Sequence, residues 1–113
     1  MTQLRLGKKP ARHAVSFAFA DFFDASKLPT PPAAFGHYQL VDEFHMLGNA
    51  DYGCCVWSGA AHEHMVWSRT GGRPRSRFLT RNVLSDYSAV TGFDPKKPET
   101  DQGTDMQVAA SYR

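Results

Sequence analysis

The alternation of hydrophobic and polar positions predicts a long helix at the middle of the chain. A turn-rich loop occupies residues 48–53, and residues 54–68 then contain no helix breaker except Gly59. We expect a mostly buried helix that begins within two residues of Cys55. On a 3.6-residue period, its apolar side is formed by Val56, Ala60 and Trp67, flanked by Cys55, Gly59, His62 and Val66.

Two further helices are predicted downstream. Thr80 has the residue type of a helix cap, and Gly92 ends the pattern that follows it. The apolar positions of this second helix are Val83, Leu84, Tyr87 and Val90. Thr104 and Gln107 match the capping-box spacing at the start of a third helix. Because this helix has barely begun at Arg113, we expect the chain to be truncated there.

The N-terminal part has a different pattern. Residues 15–19 alternate as in a short strand or an extended segment, and Phe22 and Phe23 are expected to add buried area. Residues 28–32 contain three prolines, which predicts an extended strap across a surface. Residues 1–14 carry basic side chains around Gly7 and Pro10, so we expect a basic, mobile arm.

Size and composition indicate one folded domain. The 113 residues, 12.6 kDa in mass, are 42% hydrophobic and 21% charged, which is ordinary globular usage. No apolar run approaches the roughly 18 residues of a membrane span, and no signal-type stretch opens the chain. We therefore expect no membrane contact, and a cytoplasmic protein or one packaged in a virion.

The charge balance limits the expected partners. Thirteen basic residues face 11 acidic ones, for a net charge of +2, so a nucleic-acid contact would need a local patch. Such a patch is offered by Arg73, Arg75 and Arg77 in residues 69–77, a predicted basic loop after the first helix that also contains Arg69, Gly71, Gly72 and Pro74. The pattern favours a solvated loop, with a weak phosphate contact as the alternative.

The two cysteines, Cys54 and Cys55, are the main candidates for chemistry. Because they are adjacent, a disulfide between them would staple nothing, which leaves a reactive thiol, a metal ligand or buried filler. Cys55 is placed in the first turn of the predicted helix. Unpaired N–H groups and the positive end of the helix dipole favour a thiolate there, and they also suit an oxyanion.

Residues 48–57, with the sequence Gly-Asn-Ala-Asp-Tyr-Gly-Cys-Cys-Val-Trp, resemble the nucleophile segment of papain-like cysteine peptidases. The resemblance implies that Cys55 is the nucleophile, that the Asn49 side chain helps to form the oxyanion hole, and that Trp57 is the aromatic residue of the buried helix. It implies a peptide or protein substrate.

A closer similarity is to a group of papain-like proteins from phages and actinobacteria. The shared pattern comprises Leu-Pro-Thr-Pro-Pro at residues 28–32, Met-Leu-Gly-Asn at 46–49 and the turn at 52–55, with residues 84–94 and 100–112 in the same order. This similarity implies that residues 15–113 are the N-terminal, mainly α half of an α+β papain-like domain. In that group the general-base histidine lies on a strand of the second half, and nothing in this chain corresponds to it.

Two classes of function remain open. The first is a papain-like thiol hydrolase half-domain that uses Cys55 and Asn49 on peptide or isopeptide bonds, inactive alone without the downstream histidine. The second is a noncatalytic phage virion or interaction protein, with other phage structural proteins as partners. No cofactor is predicted. A zinc site of Cys54, Cys55, His62 and His64 is disfavoured, because an intact helix places His62 about 10 Å along the axis from Cys55.

Overall fold

A computed structural model describes residues 19–112 of the chain as a mainly helical protein. Three α-helices are formed by Cys55–Thr70 (α1), Thr80–Thr91 (α2) and Met106–Tyr112 (α3), and all three contact one another. Short 3₁₀ helices occupy Phe19–Phe22, Ala25–Lys27, Tyr38–Leu40 and Pro98–Thr100. Over residues 19–112 no β-strand is present, and the predicted mainly α class is confirmed for this part.

The first helix begins where the sequence predicted. Its first residue is Cys55, and Cys54 is the N-cap. At the other end the helix runs to Thr70, two residues beyond the predicted end, where the Gly71 N–H donates to the Trp67 carbonyl at 2.9 Å. Arg69 therefore belongs to α1 and not to the basic loop, because its residue type favours helix and no breaker comes before Gly71.

The ends of α2 are partly as predicted. Gly92 closes the helix in the left-handed conformation, with φ 74°, and its N–H donates to the Ser88 carbonyl at 2.9 Å. The prediction of Thr80 as the cap was wrong, since Thr80 is the first helical residue. Leu79 is the N-cap, and its N–H donates to the Asn82 side-chain oxygen at 3.1 Å.

The start of α3 differs from the capping box predicted at Thr104. The Asp105 carboxylate accepts the N–H groups of Gln107 at 2.8 Å and Val108 at 3.3 Å, so Asp105 caps this helix. Thr104 is buried instead, and its hydroxyl accepts the indole N–H of Trp57 at 3.0 Å. A buried indole N–H needs a hydrogen-bond acceptor. The Thr104 hydroxyl serves as that acceptor, although the local spacing had predicted Thr104 as the cap of α3.

The core of the described region lies between the three helices. It is made of Val41, Leu47, Cys54, Trp57, Ala61, Met65, Val83, Tyr87, Phe93 and Ala109. The buried line on α1 is Trp57, Ala61 and Met65, each four residues from the next. Trp67 was predicted on the buried side and is 61% exposed, because a residue two places after Met65 lies about 200° around the helix.

Residues 21–46 lie mostly on the surface. The expected burial of Phe22 and Phe23 was wrong, since their exposed fractions are 74% and 39%. Residues 28–32 are exposed and form neither helix nor strand, and the strap stays a prediction. The predicted arm at 1–14 and most of the alternating segment at 15–19 lie outside the described residues.

A membrane-spanning helix is absent from residues 19–112, since each helix there is too short or too polar to serve as one.

Candidate functional site

Residues 46–53 form a tight loop that leads into the first turn of α1. The Asn49 N–H donates to the Met46 carbonyl at 2.9 Å, and the Tyr52 N–H donates to the Gly48 carbonyl at 3.0 Å. Gly48 has φ 91°, and a Cβ there would meet Leu84 of α2 at 3.1 Å. Both the backbone angle and the close approach to α2 therefore require glycine at this position.

Cys54 is a packing residue. Its side chain is fully buried, and its Sγ donates to the Leu47 carbonyl at 3.8 Å and lies 3.5 Å from the Ser58 hydroxyl. Burial raises the pKa of the Cys54 thiol, which keeps it protonated near neutral pH. Of the readings that the sequence left open, buried filler therefore describes this cysteine.

Cys55 has a different environment. It is the first residue of α1, its side chain is half-buried, and it lines a groove of 470 Å³ between α1 and α3. The other residues that line the groove are mostly small or apolar, namely Val56, Trp57, Gly59, Ala60, Glu63, Met106, Ala109 and Ala110. Cys55 therefore borders a space that a ligand can enter.

The loop before α1 is held by a carboxylate from a distant part of the chain. Asp101 accepts the Gly53 N–H with both oxygens, at 3.1 and 3.0 Å, and the Tyr87 hydroxyl at 2.6 Å. The Tyr87 oxygen in turn accepts the Gly103 N–H at 3.0 Å. Burial and this carboxylate raise the pKa of Tyr87, so its hydroxyl stays a donor.

This network was missed by the sequence analysis. The helical spacing of α2 marked Tyr87 as apolar-facing, and a buried tyrosine needs a partner for its hydroxyl. That requirement is the signal available in the sequence. It does not identify Asp101 as the partner, because the two residues meet only when the chain after α2 folds back onto the loop before α1.

The second predicted catalytic residue, Asn49, is exposed in the turn before α1. Asn49 is not among the residues that line the Cys55 groove, so the two predicted catalytic residues do not share that groove. Trp57, the predicted helix aromatic, is buried and also lines the groove. Cys55 and Trp57 thus line the same groove, and their predicted roles stay predictions.

The described histidines contact other parts of the surface. His62 Nε2 donates to the His45 carbonyl at 2.8 Å, and the His64 ring lies 5.9 Å from that of Trp67. Among residues 19–112, no histidine lines the Cys55 groove. Over the same residues, no three histidine, cysteine or acidic side chains are grouped so that they could hold a metal ion.

The predicted basic patch is partly tied to the protein. The Arg75 guanidinium donates to the Glu43 carbonyl at 3.2 Å, whereas Arg73 and Arg77 are exposed. Arg69, on the last turn of α1, donates from Nε to the Leu40 carbonyl at 3.3 Å. Two of the arginines in this region therefore link the helical core to residues 40–43.

Comparison with known proteins adds no relative. The chain matches no protein-family model, and neither a curated protein nor a solved structure is significantly similar to it.

Proposed function

We propose that this chain is the nucleophile-bearing half of a papain-like thiol hydrolase that acts on peptide or isopeptide bonds. The observation that carries the proposal is the position of Cys55, at the first residue of α1 and in the wall of an open groove. The start of a helix leaves N–H groups unpaired and stabilises nearby negative charge. The proposal assigns the reaction to Cys55 because Cys54 is buried and Cys55 is partly exposed.

The proposed reaction begins with loss of the Cys55 thiol proton to solvent and attack of the resulting thiolate on the amide carbonyl carbon. A C–S bond forms, the carbonyl oxygen becomes an oxyanion, and the first N–H groups of α1 donate to it. The predicted Asn49 donor lies in the exposed turn outside the groove and would have to move toward the sulfur to take part. The amine then leaves with a proton from a general acid, and water releases the acyl group from sulfur. Since no histidine among the described residues lines the groove, we expect no peptide turnover by this chain alone.

The nucleophilic step is testable without the missing acid. A p-nitrophenyl ester has a leaving group that departs without protonation, so it reports on sulfur attack alone. We expect acylation of Cys55, measured by mass spectrometry of tryptic peptides, to exceed that of Cys54 by about tenfold or more. The matched variants are Cys55→Ala, which should lose the label, and Cys54→Ala, which should keep it. Equal, slow labelling of both thiols would contradict the proposal.

The same preparation should be incubated with broad peptide substrates. Turnover that disappears in Cys55→Ala would support the nucleophile and overturn the expectation that the chain is inactive alone. Turnover that persists in Cys55→Ala would remove Cys55 from the reaction.

The second candidate is a noncatalytic interaction protein, such as a phage virion component. It is favoured by the large apolar side chains exposed between residues 22 and 46, among them Phe22, Phe35 and Tyr38. It is also favoured by the Asp101 carboxylate, which accepts the Gly53 N–H with both oxygens, so this N–H just before α1 is not available to an oxyanion. In this case the exposed Arg73 and Arg77 offer a weak nucleic-acid contact, with Arg75 beside them.

A further inference from the structure

A second cleft, of 490 Å³, lies where the three helices meet. His64 and Trp67 reach it from α1, Asp86 from α2, and Ala110 and Tyr112 from α3. It shares only Ala110 with the residues that line the Cys55 groove. The volume is within the range of about 300 to 1,000 Å³ that is usual for ligand pockets.

Aromatic rings form much of the lining of this cleft, and two of them, Tyr112 and His64, contact rings outside it. The Tyr112 ring packs edge-on against the buried Trp57, with centroids 5.7 Å apart. The His64 ring lies 6.1 Å from that of Phe78 and 5.9 Å from that of Trp67. Even so, Trp67 is 61% and Tyr112 is 53% exposed. The rings are thus supported by the protein while more than half of each of these two side chains is left open.

The charge in the cleft selects the ligand. Asp86 is exposed, and neither of the two ion pairs found within residues 19–112 includes it. A carboxylate attracts a cation, and the faces of Trp and Tyr rings attract the same charge. A planar guanidinium satisfies both, because it stacks on an aromatic face while its N–H groups donate to a carboxylate. A quaternary ammonium has no N–H to donate, and an ammonium has no plane to stack.

We propose that this cleft binds the side chain of an arginine presented by a partner protein. Trp67 and Tyr112 stack on the guanidinium, and Asp86 accepts its N–H groups. This binding surface is independent of Cys55 chemistry, so a failure of the thiol hydrolase proposal leaves it untouched.

The test is a titration of the full chain with the peptide acetyl-Gly-Arg-Gly-amide, followed by the Trp67 indole N–H signal in NMR spectra. The Trp67 signal is assigned with Trp67→Phe. The control ligand is the same peptide with citrulline in place of arginine, because citrulline has a similar shape but carries no charge. We expect saturable shifts with the arginine peptide and about tenfold weaker binding of the citrulline peptide.

The matched protein variants are Asp86→Asn and Asp51→Asn, which both replace exposed aspartates. Asp86→Asn should weaken arginine binding about tenfold, and Asp51→Asn should leave it unchanged. Trp67→Ala should weaken binding by about threefold to tenfold. The proposal is overturned if citrulline binds as well as arginine, if Asp86→Asn binds normally, or if a lysine peptide binds as tightly. Spectra of both aspartate variants that retain the wild-type dispersion exclude misfolding as the cause.

Discussion

The helical region and residues 21–46 contain similar apolar side chains, but the helical region buries many of them and residues 21–46 leave nearly all of them exposed. From Leu47 onward, the large apolar residues at helical spacing form a core, in which Trp57 is 4% and Tyr87 is 0% exposed. Between 21 and 46 only Val41 is buried, while Phe35 is 79% exposed. The difference shows that apolar content does not bury a segment by itself. Periodic placement on a helix aligns the side chains into one face, and the proline-rich stretch at 28–32 offers no such face.

The largest expected effect on stability comes from a substitution in the core. Trp57→Ala removes a buried ring and the donor to Thr104, and we expect a loss of about 3 to 5 kcal/mol in the free energy of unfolding. Phe35→Ala should change it by less than about 0.5 kcal/mol, because the ring is on the surface. Urea unfolding followed by circular dichroism measures both. A comparable loss in the two variants would mean that residues 21–46 pack as tightly as the core.

The next effect concerns the carboxylate that joins the segment after α2 to the loop before α1. Asp101→Ala leaves the Gly53 N–H and the Tyr87 hydroxyl without their acceptor, and we expect a cost of about 2 kcal/mol. Tyr87→Phe removes the hydroxyl, so the double variant should be less destabilised than the sum of the single ones. Strict additivity in urea unfolding would show that the hydrogen bond between the two side chains contributes nothing.

The smallest effect is a loss of stability at high pH. The pKa values of Cys54 and Tyr87 are raised in the folded protein, chiefly by burial. The unfolded chain therefore releases these protons first, at about pH 8.5 for the thiol and about pH 10 for the phenol. Stability should be full below that range and fall as pH rises through it, with a slope of at most about 1.4 kcal/mol per pH unit for each group.

Matched variants separate the two groups. Cys54→Ala should reduce the loss of stability that begins near about pH 8.5. Tyr87→Phe should reduce the further loss of stability above about pH 10. Tyr38→Phe, at a ring that is 66% exposed, should leave the profile unchanged. Thermal unfolding across this pH range gives the profile, and identical curves for Cys54→Ala and the wild type would show that the buried thiol is not responsible.

Local signals in the sequence predicted the elements well and the contacts poorly. The glycine loop and the unbroken run after it placed the start of α1 at Cys55, and Gly92 marked the end of α2. Thr80 and Thr104 have the residue type of a cap, but neither caps its helix. Threonine at these positions satisfies more than one local pattern, and the choice depends on which backbone and side-chain groups come within reach after packing.

By itself the sequence determined the three α-helices of residues 19–112 and their approximate bounds, because breakers, caps and apolar spacing act within a few residues of one another. It also identified the pair of cysteines as the candidate for chemistry. Only the tertiary structure decided which cysteine is buried, since both are apolar-compatible and adjacent, and the packing of α2 against the loop encloses Cys54 alone. It likewise brought Asp101 to Gly53, because contacts between distant residues depend on how the helices pack and not on any local pattern.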